Sequence, residues 1–261
     1  MDATIDIGVV TRPLLFVALA ALAFIPLEHL AAAHAARRRR FATDLAFATV
    51  GQIATQLALV LATGLVLARL DAVALDRPLL AGIGDRRARF VAEVVVGLLL
   101  FELGGYAYHR LAHAVPALWR LHEVHHSSET MDWLASFRQH PLEIVLVTLA
   151  QNAPLVLLGV PLGAHAAVLV GLKVATVFVH SNLHVPIGPL RFLVATPRFH
   201  HRHHQRGGAV ANFAAFLPFI DRLFGSYSDE ATARFGVERP LPDSFVGLLA
   251  APWRGQRKVD R

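Results

Sequence analysis

Residues 90–113, FVAEVVVGLLLFELGGYAYHRLAH, run almost wholly apolar from Phe90 to Tyr108 and then close on His109 and His113. A helix needs about 20 mostly apolar residues to cross a bilayer, so this stretch is long enough to span one. Two histidines four positions apart stack on one helical face. The segment therefore predicts a spanning helix that delivers a pair of imidazoles where it leaves the membrane.

Residues 13–36 and 45–70, N-terminal to this stretch, are further spanning candidates. Asp2 and Asp6 stand before the first, opposed only by Arg12, so it reads as an uncleaved helix rather than a secretory signal. Glu28 and His29 near its end are expected to face protein or the interface. C-terminal to the central stretch, runs 142–160 and 162–179 are parted by Gly159-Val160-Pro161-Leu162-Gly163 and read as a helical hairpin. Lys173 inside the second run should face protein or snorkel. The predicted architecture is all-α: an integral membrane helical bundle of about four to five spanning helices with a cytoplasmic-side helical cap. Residues 1–89 form the N-terminal membrane part and outer loop, 90–228 the part that holds the histidine groups, and 229–261 an interfacial segment with a basic tail.

Composition agrees. Of 261 residues, 55% are hydrophobic and 17% charged, and mean hydropathy is +0.49. Soluble domains carry about a quarter charged residues. The net charge of +6 suits anionic lipid rather than nucleic acid, because the basic run Arg37–Arg40 lies between two spanning candidates. Four arginines in a short loop predict that this loop is cytoplasmic. The central helix then ends on the cytoplasmic side, and the hairpin returns there. With no cysteine in the chain, thiolate zinc, iron–sulfur and haem-thiolate sites are excluded.

Histidine is the outlier. Of 15 in the chain, all but His29 and His34 fall between His109 and His204. The groups are His109 and His113 in HRLAH, His122, His125 and His126 in HEVHH, His180 and His184 in HSNLH, and His200, His203 and His204 in HHRHH. Their offsets place imidazoles on one helical face, and together they exceed the coordination of one ion, which points to a pair. Iron, zinc and copper all accept imidazole, and spacing does not choose among them. His201 points about 100° from His200 and is predicted to lie outside the ligand set. Thr196-Pro197 predicts a helix start at Pro197. His29, His34 and His165 are read as ordinary structural histidines, and His140 as either structural or an outer partner. Glu102, Glu123, Glu129, Asp132, Glu143 and Asp221 are the acids placed to orient imidazoles.

HRLAH, HEVHH and HHRHH resemble the three histidine boxes of the fatty acid hydroxylase/sterol desaturase superfamily, membrane-bound non-haem di-iron oxygenases. HSNLH resembles the additional pair of that family. Asn212-Phe213 and Asp221-Arg222-Leu223-Phe224-Gly225 resemble the tail after its last box. Ile220, Ser226 and Ala214 stand where family members often carry Trp, Thr and Gly. The resemblance implies two iron ions, with zinc a possible substitute, held by the ten box histidines. It also implies O2 as co-substrate and a lipid whose C–H bond is hydroxylated or desaturated. The chain has no dinucleotide fingerprint of the GxGxxG type, so electrons are expected from a separate reductase with a cytochrome b5-like or ferredoxin-like carrier. The phenylalanines between Phe213 and Phe224 would either cover the site at the interface or form an ordinary packed face. The competing reading is a His-rich membrane metal transporter or a metal-binding protein without oxygenase activity. Histidines at helix ends, rather than at the bilayer midplane, speak against transport.

Overall fold

The computed structural model describes residues 7–35, 40–70, 80–158 and 166–254, without the side chains of 64–70 and 166–170. Arg37–Arg39, the Gly159–Gly163 break, His165 and the tail after Arg254 lie outside the described residues. The order is α1 (Gly8–Leu30), α2 (Phe41–Ala46), a π turn (Phe47–Gly51), α3 (Gln52–Leu70), α4 (Arg86–Ala114), α5 (Pro116–His126), α6 (Pro141–Leu157), α7 (Ala166–His180), α8 (Pro197–His203), α9 (Phe219–Leu223) and α10 (Phe245–Ala250). Short 3-10 turns at Trp133–Phe137, Gly188–Phe192 and Ala251–Trp253 join some of them. The described residues pair as β only at two isolated bridges, so the fold is all-α.

Among the described residues three helices are long and apolar enough to cross a membrane: Gly8–Leu30, Phe41–Thr63 and Arg86–Ala114. This is fewer than the four to five expected. The 17 residues of α6 and 15 of α7 fall short of a full span. Pro141 opens α6, and α7 stops at His180. Less than a third of each long span's most apolar window is buried within the protein. Leu19, Leu22, Leu61, Val91 and Val95 point outward. Apolar surface on this scale is stable against hydrocarbon, not water; the protein is a multi-pass membrane protein.

Helix α4 packs against α6 at very short range. A Cβ on Gly104 would sit 2.3 Å from the Ala150 carbonyl oxygen. Glycine lets the two backbones meet, which is the way helices associate where no hydrophobic force drives them together.

One end of the bundle carries a polar cap, and the helix ends are tied to it by charged groups, one pair of them buried. The Glu28 carboxylate, at the end of α1, accepts from the backbone N–H groups of Trp133 (2.7 Å) and Asn182 (2.9 Å). Asp44 in α2 pairs with Arg138 through Nε (2.7 Å) and Nη2 (2.5 Å), both residues being buried. Arg40 reaches Asp243 (2.6 Å). Beneath the cap, Val17 and Phe24 of α1 pack on Ala48, Trp133, Phe137 and Val177. A second core of Tyr106, Val179, Phe199, Phe213 and Ile220 joins α4, α7 and α8 to the chain after them.

Candidate metal centre

The boxes are built by local rules. Asp85 caps α4 by accepting from Ala88 N–H (2.7 Å), and twenty-odd residues later that helix presents His109 and His113. Proline at the first turn starts α5, which ends on His125 and His126. Thr196 caps α8, its hydroxyl accepting from Phe199 N–H (3.4 Å), with Pro197 next. The predicted helix start is thus the observed one.

The imidazoles gather into two groups. One holds His109, His113, His122, His126 and His203; the other holds His125, His180, His200 and His204. Within each group the ligand atoms lie within 4.8 Å of one another. Neighbouring Nε2 atoms are closer: His122 is 3.1 Å from His109, 3.1 Å from His113 and 3.0 Å from His126. His203 is 3.1 Å from His126 and 3.2 Å from His113. In the second group His180 is 3.1 Å from His125 and 3.0 Å from His200, and His204 is 3.1 Å from His200.

The other ring nitrogen sets the tautomer. Nδ1–H of His109 donates to the Phe213 carbonyl (2.7 Å), that of His203 to Ala211 (2.9 Å), that of His125 to Arg138 (3.1 Å) and that of His180 to Thr176 (2.7 Å). Nδ1–H of His122 donates to Glu143. A neutral ring protonated at Nδ1 has a bare lone pair at Nε2. Burial, the largest influence, pushes His125 down to about 4 and holds His122, His126, His200, His203 and His204 well below the ordinary imidazole value. The rings are neutral at pH 7. Pairs such as His109–His122 and His125–His180 therefore face each other lone pair to lone pair at 3.1 Å. That contact is repulsive unless a cation lies between the rings. With metal–nitrogen bonds of about 2.1 Å, ligands at right angles bring neighbouring nitrogens to about 3.0 Å and opposite ones to about 4.2 Å. The donor set fits two imidazole-bound transition ions, iron or zinc.

His184 departs from expectation. It is exposed and outside both groups. Helix α7 ends at His180, and the chain then pairs with Ala31–Ala33, His184 N–H donating to the Ala31 carbonyl (2.9 Å). The four-residue spacing from His180 no longer means one helical face. His201 stays outside both groups as predicted. It is buried, with Nε2 3.2 Å from the His180 carbonyl and Nδ1 3.4 Å from His34. His140 is structural: its Nδ1 accepts from Leu142 N–H (3.2 Å) and caps α6. Of the six candidate acids, Glu143 bonds to a clustered imidazole, that of His122. Glu102 holds the Phe216 and Leu217 N–H groups, Glu123 pairs with Arg239, and Asp132 caps the 3-10 turn at Trp133.

Four backbone carbonyls do most of the orienting, and the segment after α8 supplies two of them. Asn212, fully buried with a φ of 61°, donates to the Phe199 and Ser228 carbonyls (both 2.9 Å) and accepts from Ser228 N–H (2.7 Å). Asp221 accepts from Phe213 and Ala214 N–H (both 2.8 Å). These bonds fix the carbonyls of Ala211 and Phe213 against His203 and His109. The phenylalanines divide: Phe213 packs on the rings of His113 (5.5 Å) and His203 (5.7 Å), whereas Phe224 is half exposed and stacks on Tyr106.

A cavity of about 360 Å³ runs between the helices to the site. Its walls include His109 and His122 from one group and His125, His180 and His200 from the other. Helix α3 contributes Gln52, Thr55, Gln56 and Leu59, and α6 contributes Ile144, Val147, Thr148 and Gln151. Each set follows the i, i+3, i+4, i+7 rule for one helical face.

Two groups of imidazoles fit to hold a metal ion each, set where membrane helices end, define a membrane protein of the histidine-box kind. The chain belongs to the fatty acid hydroxylase family, whose model matches residues 94–226. The chain is 30% identical to the ornithine lipid hydroxylase OlsE of Rhizobium tropici over 178 residues, 64% of this chain and 53% of that protein. It is 31% and 30% identical to the alkylglycerol monooxygenases of Danio rerio and Homo sapiens over 143 residues, 54% of this chain and 32% of theirs. The chain thus spans about half the length of the first relative and a third of the others. No solved structure matches it.

Proposed function

We propose that the protein is a membrane-bound di-iron oxygenase that hydroxylates a C–H bond of a lipid. His109, His113, His122, His126 and His203 would hold one ion, and His125, His180, His200 and His204 the other. The observation that carries the reading is that one cavity passes among lipid-facing helices and touches both groups of bare imidazole nitrogens. Bound iron would supply O2 binding and electron transfer. The chain's own residues orient and enclose. Carbonyls and Glu143 hold the rings, Trp119 covers His113 (5.0 Å) and His126 (5.5 Å), and Phe213 closes the inner side. Hydroxylation with O2 takes up a pair of electrons and a pair of protons and releases water, so a separate electron donor is part of the proposal. The relatives named for an ornithine lipid and for alkylglycerols favour hydroxylation over desaturation.

The catalytic part would be residues 90–228, with α6 and α7 as a membrane hairpin raising the spanning segments to five. Arg40 follows Arg37–Arg39 directly and is bonded into the cap, which favours a cytoplasmic site by the positive-inside rule. A reporter fused after Tyr227 is then expected to read cytoplasmic, and a signal from the other side would reverse the topology. Untargeted lipid mass spectrometry of cells with and without the protein tests the reaction. One lipid class should gain the mass of one oxygen. Loss of a hydrogen pair instead would make it a desaturase, and an unchanged lipid profile under confirmed expression would contradict the reading.

A further inference from the structure

The cavity is more polar than a hydrocarbon chain requires. On α7, Lys173, Thr176, Val177 and His180 line it as one stripe. Lys173 precedes His180 by seven residues, almost two full turns, so it stands on the same face about 10 Å along the axis. Among the described residues, the amine's one partner is the ring of Phe16, another wall residue, 4.8 Å from its centroid. Gln52, Gln56 and Gln151 share the cavity, and none of their side-chain amides is hydrogen-bonded to a described residue. Lys173 is exposed on the cavity wall, not enclosed by packing. A cation and three amides without protein partners on the wall of one cavity among membrane helices are costly to maintain without a polar occupant. Leucine at these positions would seal the bundle better.

We propose that Lys173, with the glutamines of the same cavity, binds an anionic oxygen group of the lipid substrate at the cavity wall, and so determines which carbon is presented to the histidines. This inference rests on the oxygenase reading and adds a substrate class to it: a lipid carrying a carboxylate or a phosphate. Because Lys173 is about two helical turns from His180, the oxidised carbon lies several bonds from the anionic group, not next to it.

The test is equilibrium binding to the full chain in neutral detergent, without O2 or electron donor, so it does not depend on catalysis. The probes are laurate, methyl laurate and lauryl phosphate. Laurate should bind the wild type about tenfold more tightly than its methyl ester, the size of one charge-assisted hydrogen bond. Lys173→Met should abolish that preference while leaving ester binding unchanged, which also shows that the variant is folded. Lys173→Arg should retain the preference. Tighter binding of lauryl phosphate than of laurate identifies a phospholipid source, and the reverse a fatty acid; either supports the site. Equal binding of laurate and ester by the wild type, or an undiminished laurate preference in Lys173→Met, overturns it. A chain that shows the charge preference yet oxidises no lipid would refute the oxygenase reading alone.

Discussion

Replacing His203 by glutamine is expected to remove about half or more of the bound metal, while His201→Gln leaves the metal content near that of the wild type. The two residues are two positions apart on α8 and both are buried, so loss of a buried imidazole is common to both variants. What differs is direction. His203 Nε2 lies 3.1 Å from that of His126 and 3.2 Å from that of His113, within the first group. His201 turns to the His180 carbonyl and His34. Even an outer partner of a metal ligand alters affinity by about 10- to 100-fold, and loss of a ligand should cost at least as much. Metal per chain, measured on purified protein, decides. Equal losses in the two variants would contradict the assignment of α8 faces.

Asp44→Ala should destabilise the fold by about 3–5 kcal/mol, the usual cost of leaving one charge of a buried pair without its partner. Arg138 is 1% exposed and Asp44 3%. The same arginine donates to Ser127 Oγ (3.1 Å), and its carbonyl accepts from His125 Nδ1 (3.1 Å). The pair thus joins a membrane helix, the cap and one imidazole of the second group. Denaturant unfolding in detergent measures the loss, and metal analysis should show the second group weakened along with it. A change below about 1 kcal/mol would mean that water already reaches the pair.

The histidine boxes were legible because helical spacing converts sequence offsets into faces. His122, His125 and His126 lie on one continuous helix, and Thr196-Pro197 starts the next. The same arithmetic failed at His184, where the helix had already ended and the chain had turned to pair with Ala32. What separates the two metal groups was also not legible. His125 and His126 are adjacent in sequence but belong to different groups, because neighbouring residues on α5 diverge around its axis. Acidic residues drew attention as orienting partners, yet carbonyls of Phe213, Ala211, Arg138 and Thr176 do that work, and a carbonyl has no residue type by which to be found. Asn212, noticed only as part of a family-like tail, and Asp221, expected to touch an imidazole directly, instead hold two of those carbonyls in place. Run length did not separate long spans from short ones: the described parts of α6 and α7 are 17 and 15 residues. The polar stripe of Lys173, Gln52, Gln56 and Gln151 was visible only in part. Lys173 stood out in an apolar run, but the cavity it shares with the glutamines depends on how three helices face one another.

Two ions between facing imidazole nitrogens would leave a direct spectroscopic trace. Metal analysis of the anaerobically purified protein, combined with iron-edge X-ray absorption, tests for them most directly. The expected result is about two iron ions per chain with nitrogen neighbours at about 2.1 Å. Fewer than about one transition-metal ion per chain under those conditions, or a first shell without imidazole scattering, would contradict it.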